Sequence, residues 1–560
     1  MISKYSFIYF LGIAFTIIST FIGYILSTKI KKFDDKLKNR SYFYFLCLMI
    51  IAYIIIFSIM KDLTVLSHHS YYDFAVFLDY FHHYSQNKGL FSSLEDFSHP
   101  GSGHWMGVHF TPLAYIFAFA YKILPSFRTI NWLQTILMAT SPLILYWLSR
   151  RFIGTLGAFC ISLALLFNPT FQYITLYEFE YLRFLVPVGI LALGVTIAEF
   201  PTRVVLLSSI AVLFIREDAP LMVFGMGVFV FFFQRDRRRL GVLLIAIALI
   251  YLFIILQIIM PLFREAANNT HVAISIFQEF GKTLPEILTN ILLNPGEFLA
   301  YFFHPFKLFN LIMYFLPFSF LSFAGADVLI IILPTLAALF FSNVVIHSSY
   351  FLYYVVPILV VVVWSTIVGI PRLVRFSHEK ERLTKWFRRY PPSVERVSFA
   401  VLIGSVACSI YFGPSPVSIQ FWYKDFTLAP FRTATFYKER YQPSLHDETM
   451  RKVAAMIPQR ASVSAEQLLL VDVYKSDAIR VFPWIEDVDY VFIDKSNQRK
   501  TGFFIPPGSW DGLRRNPQFY YDWVEKRPDV FELIYAEDGV CLFKRRQGAP
   551  PYPQPRGTPP

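Results

Sequence analysis

Charged residues are scarce in this sequence. Asp, Glu, Lys and Arg make up 16% of the 560 residues, whereas a soluble globular protein carries about 25%. Hydrophobic residues make up 55% and aromatic residues 18%, and the mean hydropathy is +0.48. This composition excludes an ordinary soluble protein and predicts a chain that lies largely in contact with lipid.

Cysteine is scarce as well, with four in the chain. Cys47, Cys160 and Cys408 lie in apolar segments, and Cys541 stands alone near the C-terminus. No two of them form a CxxC pair and none lies in a cluster with histidine, so the sequence indicates neither a disulfide framework nor a zinc site. Nothing in these residues requires a cofactor.

Long apolar runs, in contrast, are abundant. A helix needs about 20 predominantly apolar residues to cross a bilayer, and helices packed inside a bundle can be shorter. The first run is too long for the core of a signal peptide and lacks a small-residue cleavage site, so we expect it to be retained. The predicted fold class is an α-helical polytopic membrane protein with about twelve transmembrane helices. The candidate spans are 5–27, 41–60, 131–149, 152–168, 184–200, 203–215, 219–233, 240–260, 308–324, 328–342, 353–370 and 396–412.

Basic residues set the orientation of these spans. They cluster at residues 29–40, 150–151, 235–239 and 372–389, and short loops rich in Lys and Arg stay in the cytoplasm. The alternation closes if all four clusters are cytoplasmic and the short stretch Phe110–Leu124 does not cross. The net charge of +12 is then a membrane signature, and a nucleic-acid partner is not expected. We predict a multi-pass protein of the plasma (inner) membrane.

The same orientation divides the chain into regions. The loops opposite the basic clusters, and all residues after 412, become extracytoplasmic. Beyond that point the composition turns polar, and short apolar runs at 461–466, 479–482 and 490–494, with a hairpin at 530–543, predict a small α/β domain. The regions are two N-terminal transmembrane helices (1–60), a first extracytoplasmic loop with juxtamembrane helices (61–130), a transmembrane bundle (131–412), a soluble extracytoplasmic α/β domain (413–547) and a disordered Pro-rich tail (548–560).

Charged side chains at the predicted extracytoplasmic face are the candidates for function. Such groups are costly at membrane depth, so those that are kept there usually serve a purpose. Acids, histidines and cations from several separate segments meet at this one face, which is the composition of an active site. The alternative for each residue is a local role as an interfacial anchor, a helix cap or an ion pair. The candidates are Asp73, His109, Glu178, Glu180, Arg183, Arg216, Glu217, Asp218, Arg264, Lys307 and His347.

Several short motifs, taken in their order along the chain, carry a resemblance to a known family. They are Tyr72–Phe77, Val108–Leu113, the arginine pair after the third span, Arg216–Ala219, His347 with Tyr350–Pro357, and Ala461–Ala465. Together they resemble a prokaryotic family of predicted membrane proteins of unknown function, which is grouped by similarity with the GT-C glycosyltransferases. The resemblance covers most of residues 60–500.

This resemblance implies a GT-C-like fold and the transfer of a sugar from a polyprenyl-phosphate carrier to an extracytoplasmic glycan, lipid or protein acceptor. It also implies an essential acid in the first extracytoplasmic loop, and Asp73 stands at the matching position. The acidic pair common there is absent, since Tyr72 and Phe74 flank Asp73. Asp73 with Glu217 or Asp218 offers the oxygen ligands that Mg²⁺ or Mn²⁺ prefers, but the spacing does not demand a metal.

The residue types suit this chemistry in their own right. A glycosyl phosphate already has a good leaving group, so one positioned carboxylate, Asp73, suffices as general base for a one-step inverting transfer. A transporter or flippase for a lipid-linked or anionic substrate is the alternative, although no pseudo-symmetric halves are visible. A non-catalytic envelope assembly protein is the other. In the enzyme, Arg183, Arg216, Arg264 or Lys307 would stabilise the departing lipid phosphate, and His109 and Glu217 would orient acceptor or phosphate.

Overall fold

The computed structural model describes residues 2–27, 39–70, 72–98, 103–263, 277, 279–281, 284–379, 390–423, 436–496 and 517–549. Helices fill the described chain as far as residue 422, and a five-stranded sheet lies between residues 462 and 545. The predicted site residue Arg264 and the Pro-rich tail from residue 550 lie outside the described residues. The predicted fold class, a helical polytopic protein with a small C-terminal sheet, is confirmed.

The helices of the first part of the chain are α1 (Ile2–Leu26), α2 (Asn39–Leu66), α3 (Tyr72–Ser85), α4 (Ser93–Ser98), α5 (Trp105–Val108), α6 (Ala114–Ile123), α7 (Phe127–Ala139), α8 (Ser141–Leu166), α9 (Pro169–Leu176), α10 (Leu185–Ile197) and α11 (Thr202–Leu213). They continue as α12 (Pro220–Phe233), α13 (Arg238–Ile254), α14 (Leu284–Leu293), α15 (Pro295–Phe302), α16 (Pro305–Phe315), α17 (Ala326–Leu329), α18 (Leu333–Phe340), α19 (Val356–Glu379), α20 (Val394–Phe412) and α21 (Ile419–Trp422).

Seven helical stretches of the described chain are long and apolar enough to cross a membrane. Five further apolar helices are shorter, so the predicted count of about twelve stays a prediction. One of them, α6, has ten residues; at about 1.5 Å per residue it is half the thickness of the hydrocarbon core, as expected for a segment that does not cross. The long stretches are Tyr9–Leu26, Arg40–Leu66, Phe127–Leu166, Arg235–Phe263, Leu321–Phe340, Tyr353–Glu379 and Val394–Phe412.

Helix α8 is broken where two spans were predicted to meet. Gly154 has φ +69° and ψ −178°, a conformation that glycine adopts without the steric cost of a Cβ atom. The basic pair Arg150 and Arg151 precedes the break directly, and the Arg151 guanidinium lies 4.3 Å from the centre of the Phe200 ring. Residues 141–166 are therefore two helices that meet at Gly154, directly after the basic pair and close to where the third and fourth spans were predicted to meet.

The two spans predicted at 308–324 and 328–342 are not continuous helices. After α16 the chain runs through short 3₁₀ turns, and Ser319 and Phe320 have positive φ angles of 55° and 59°. Irregular backbone at this depth needs internal hydrogen-bond partners. The Ser365 hydroxyl lies 2.6 Å from the carbonyl of Ser322 and 2.7 Å from that of Gly325. These breaks were not predicted, because hydropathy reports burial in lipid or protein and does not report helix continuity; the spans themselves stay predictions.

The C-terminal part contains helices α22 (Leu445–Ala454), α23 (Leu470–Val473) and α24 (Pro517–Glu525), and strands β1 (Ser462–Ala465), β2 (Ala478–Val481), β3 (Tyr490–Asp494), β4 (Phe531–Glu537) and β5 (Val540–Arg545). The strand order is β2-β1-β3-β5-β4, and β1 runs parallel to both of its neighbours, whereas β5 is antiparallel to β3 and β4. Asp538 and Gly539, both with positive φ, turn β4 into β5, as a two-residue hairpin requires. The predicted strands are confirmed.

This α/β unit packs on the first loop of the membrane part. The backbone N–H of Ile479 in β2 donates to the Ser93 hydroxyl at 2.9 Å. The Lys88 ammonium and the Asp477 carboxylate form an ion pair of 2.6 Å. The sheet and the loop that carries Asp73 therefore lie on the same side of the bundle.

Candidate active site

Asp73 lies in the first turn of α3 and is half-buried. Its carboxylate makes no hydrogen bond or ion pair with any residue that the structure describes. The charged groups facing it are Glu180, Glu95 and His109. Burial, with the two neighbouring carboxylates in support, raises the pKa of Asp73 to about 7. A carboxyl group with this pKa and no partner can accept or release a proton near neutral pH.

Arg216 lies in the turn between α11 and α12 and holds two acids. Its Nη1 donates to Glu180 at 3.1 Å. Its Nε and Nη2 contact both oxygens of Asp218, at 3.0 and 2.5 Å. The guanidinium also lies 5.8 Å from the ring centres of Tyr353 and Tyr354, a distance at which a cation is attracted to a ring face. Burial lowers the pKa of Arg216, but the carboxylates of Asp218 and Glu180 more than offset this. The net pKa is raised, and the guanidinium stays positively charged.

Glu180 is fixed by its own helix end as well as by Arg216. It precedes the 3₁₀ turn Tyr181–Phe184, and its Oε1 accepts the backbone N–H groups of Tyr181 and Leu182 at 2.9 and 3.3 Å. This is an N-cap, in which a carboxylate satisfies the free N–H groups of a helix start. The Glu180 carboxylate is therefore held near Asp73 by three hydrogen bonds.

His109 and Glu217 form a second charged pair beside Arg216. His109 Nδ1 lies 2.6 Å from Glu217 Oε1, and the backbone N–H of Phe110 donates to Glu217 Oε2 at 3.1 Å. Burial works against the charge of Glu217, but His109 and Arg216 hold its pKa well below its usual range. Burial likewise lowers the pKa of His109, and Glu217 more than offsets this, so the net pKa is raised. The two side chains form an imidazolium–carboxylate pair.

His347 reaches the same cluster from the turn before α19. Its ring lies 4.2 Å from the ring of Tyr354. Burial and then the charges of Arg216 and Lys307 lower the pKa of His347 to about 4. This histidine is neutral at physiological pH and contributes a hydrogen-bonding group without charge.

Two of the cations predicted to bind phosphate, Arg183 and Lys307, contact the backbone instead. Arg183 is fully buried and donates to the carbonyl oxygens of Ile174 and Tyr177 at 2.8 and 2.9 Å, and also to that of Glu178. Lys307 is fully buried and donates to the carbonyls of residues 340 and 342 at 2.6 and 2.8 Å. These donors therefore hold backbone carbonyls at helix ends and are not arranged around Arg216.

Sequence reasoning missed three further groups, Lys61, Asp62 and Glu95. Lys61 and Asp62 lie in the last turns of α2, and Lys61 is 3% exposed with no hydrogen-bond partner for its ammonium among the described residues. Asp62 accepts from Asn131 at 3.0 Å and from Trp132 at 2.9 Å. The predicted span ended at residue 60, which placed both in a loop. A lysine next to an apolar run was the available signal. Glu95, which faces Asp73, gave no such signal.

Of the three acids suggested for a divalent cation, Glu217 and Asp218 are already engaged, which leaves Asp73 as the one oxygen ligand that no described residue engages. Both oxygens of Asp218 contact Arg216, and those of Glu217 contact His109 and the backbone of Phe110. In the described part of the chain no group of three or more His, Cys, Asp or Glu side chains is arranged to hold a metal. These residues do not fit the Mg²⁺ or Mn²⁺ that the sequence left open.

Comparisons with known proteins give one family match and a distant similarity to solved structures. The profile of a family described as predicted membrane protein (DUF2079) matches residues 63–505. No curated protein matches the sequence significantly. Among solved structures, ArnT from Cupriavidus metallidurans bound to undecaprenyl phosphate is 10% identical, with a TM-score of 0.49 over 91% of this chain and 99% of that chain. Apo ArnT from the same organism is 9% identical, with a TM-score of 0.45 over 89% of this chain and 97% of that chain.

Proposed function

This chain belongs to the DUF2079 family of predicted membrane proteins, and we propose that it is a membrane glycosyltransferase that moves a sugar from a polyprenyl-phosphate carrier to an extracytoplasmic acceptor. One observation carries the proposal: Asp73 is half-buried, has no partner among the described residues, and faces the charged cluster around Arg216. The carrier class and the transfer reaction come from the sequence resemblance.

Asp73 supplies the general base. The acceptor hydroxyl gives its proton to the Asp73 carboxylate while its oxygen bonds to the anomeric carbon of the donor sugar. The bond from that carbon to the phosphate oxygen breaks, and the lipid phosphate leaves with the electron pair. Attack from the face opposite the leaving group inverts the anomeric centre, and no second nucleophilic carboxylate is needed.

Arg216 is the residue that meets the leaving phosphate. Its two carboxylate partners differ: the side chain of Glu180 is 7% exposed and that of Asp218 is 37% exposed. Asp218 is the partner that a phosphate can replace, since a phosphate and a carboxylate both present paired oxygens to a guanidinium. Asp218 would then swing towards solvent while Glu180 keeps Arg216 aimed at the site.

The pH dependence of transfer tests the base. Asp73 acts only as a carboxylate, and its pKa is raised to about 7, so kcat should increase as pH rises through 7 and fall tenfold per unit below it. The measurement is the initial rate between about pH 5 and pH 9 at saturating donor. A rate independent of pH over the lower half of this range would contradict a base with a raised pKa.

The side of the membrane is a separate prediction. We expect a reporter fused after residue 549, and one inserted beside Lys88, to be active on the extracytoplasmic side, because the α/β unit packs on the Lys88 loop and the basic clusters favour the cytoplasm. A reporter at Arg235, in the turn before α13, is the cytoplasmic control. A cytoplasmic signal from residue 549 would invert the orientation and exclude an extracytoplasmic acceptor.

A further inference from the structure

We propose that the C-terminal α/β unit positions Asp73 in the active site by holding the segment that carries it. His68 is the positioning residue that links this segment to the α/β unit. This inference rests on the proposed function for its catalytic consequence. Its structural content, a clamp on residues 66–68 and on α3, can be measured without any substrate.

His68 bridges two acids of the α/β unit. Its Nδ1 lies 2.8 Å from Asp447 Oδ1, and its Nε2 lies 2.5 Å from Asp472 Oδ2. Asp447 lies in the first turn of α22 and is fully buried, whereas Asp472 lies in α23. Since both ring nitrogens face carboxylates, both carry protons, and the ring is an imidazolium between two charge-assisted hydrogen bonds.

The residues before His68 are held by the same unit. The Ser67 hydroxyl donates to the Arg440 carbonyl at 2.6 Å, and the Arg451 guanidinium donates to the Leu66 carbonyl. His68 itself has φ +50°, a left-handed conformation that costs a non-glycine residue about 1 kcal/mol or more and persists where surrounding contacts enforce it. The turn that ends α2 is thus shaped by residues of the α/β unit.

The clamped turn leads directly to the proposed base. Asp73 follows His68 by five positions and lies in the first turn of α3. Because each residue adds at most about 3.6 Å of chain, a shift of the turn is passed to the start of α3 within a short distance. The orientation of Asp73 therefore depends on where the His68 bridge places this turn.

The α/β unit also contacts α3 further along the helix. The Ile479 N–H of β2 donates to the Ser93 hydroxyl at 2.9 Å, and that hydroxyl lies 3.2 Å from Asp79 Oδ2 in α3. The rings of His82 in α3 and Tyr474 also meet edge to face at 6.3 Å. The α/β unit therefore contacts the turn that precedes α3 and, through Ser93 and Tyr474, the later part of α3.

A buried charge bridge of this kind is better suited to setting an arrangement than to adding stability. The cost of removing the charges from water offsets much of their attraction, and what remains is a strict demand on geometry. If the bridge served only to stabilise the fold, its loss would destabilise the whole α/β unit. A positioning role predicts a change confined to the segment around Asp73 and to the behaviour of its carboxyl group.

The experiment compares His68→Gln and the milder Asp472→Asn with wild type as full-length protein in lipid nanodiscs. Lys88→Gln is the matched control, because it removes an ion pair between the same two parts of the chain that is 46% and 54% exposed. We expect hydrogen–deuterium exchange of residues 67–79, measured without substrate, to become about tenfold faster or more in both bridge variants, the size expected for losing a charged hydrogen bond. The control should exchange like wild type.

Activity supplies the second readout. With a turnover assay in place, both bridge variants should lower kcat about tenfold with KM for the donor within about twofold, because positioning affects the transition state more than donor binding. The acid limb of the pH profile should move to lower pH as Asp73 becomes more solvated. A kcat loss with an unmoved acid limb would overturn the positioning role.

The two proposals fail separately. Unchanged exchange of residues 67–79 in folded Asp472→Asn overturns the clamp, whatever the activity, and this variant decides the matter if His68→Gln does not fold. Equal acceleration in Lys88→Gln overturns the specific role of His68. Accelerated exchange together with a wild type that transfers no sugar supports the clamp and overturns the proposed function alone.

Discussion

Replacing Asp73 by asparagine is expected to lower the transfer rate on the order of 10³-fold, the usual contribution of a positioned general base. The amide has nearly the same shape but cannot accept the acceptor proton. Because Asp73 makes no hydrogen bond or ion pair with the described residues, the variant should fold and express like wild type. The measurement is sugar transfer by purified protein, with a panel of polyprenyl-phosphate sugars and extracted envelope glycans.

The second acid on the same helix is the matched control. Asp79 is fully buried, and its Oδ2 accepts from the Ser92 hydroxyl at 2.8 Å and from the backbone of Leu94 at 3.3 Å, while Oδ1 lies 2.8 Å from His83. Asp79→Asn should therefore reduce the yield of folded protein, the reverse of the effect of Asp73→Asn. Full transfer activity of Asp73→Asn would exclude Asp73 as base, whereas no transfer by wild type across the panel would favour the transporter or assembly alternatives.

Arg216→Met is expected to abolish detectable transfer and to lower the free energy of unfolding by about 3–5 kcal/mol, the cost of breaking a buried ion pair from one side. The side chains of Arg216 and Glu180 are 4% and 7% exposed, so methionine would leave the Glu180 carboxylate buried without its cation. The measurements are thermal unfolding of the purified protein and binding of a polyprenyl phosphate.

Arg372 provides the comparison for this result. It also makes two contacts to one carboxylate, with Asp327 at 2.5 and 2.8 Å, but its side chain is 47% exposed. Arg372→Met should change the free energy of unfolding by about 1 kcal/mol or less, since an exposed ion pair contributes little. If Arg216→Met unfolds like wild type and still binds the carrier lipid, Arg216 is neither the structural centre of the site nor its phosphate ligand.

The charge balance of the site bears on the proposed roles of Asp73 and Arg216. Arg216 and His109 are cations, and Glu180, Glu217 and Asp218 are carboxylates, so the cluster already carries one more negative charge than positive. A further charge on Asp73 is therefore unfavourable, in keeping with its raised pKa. Binding a lipid phosphate requires one carboxylate to give way, and Asp218 is the most exposed of the three.

Much of the candidate site could be predicted from the sequence because costly charges stand out against an apolar background. Asp73, His109, Glu180, Arg216 and Glu217 were selected on this basis, and the structure brings them together, with Asp218 and His347 beside them. Their catalytic and binding roles stay proposals.

The direction in which a cation points could not be predicted. Arg183 and Lys307, like Arg216, are cations in a largely apolar sequence. Their side chains nevertheless donate to backbone carbonyls at helix ends. Such carbonyls belong to residues brought close by packing, as with Lys307 and the carbonyl of Phe340, 33 positions apart. No local pattern distinguishes a cation that faces a carbonyl from one that faces a cavity.

Composition by itself determined that this is a multi-pass helical membrane protein with a polar C-terminal unit, because transfer into lipid depends on the hydropathy of each segment alone. The order of strands in that unit was not determined in this way, nor was the contact between His68 and Asp447, 379 positions apart. Tertiary structure decided these, since burying a charged group is tolerated only where a partner of opposite charge and fitting geometry arrives with it. The chain thus specifies locally what enters the membrane, and packing specifies which of the charges left at its surface work together.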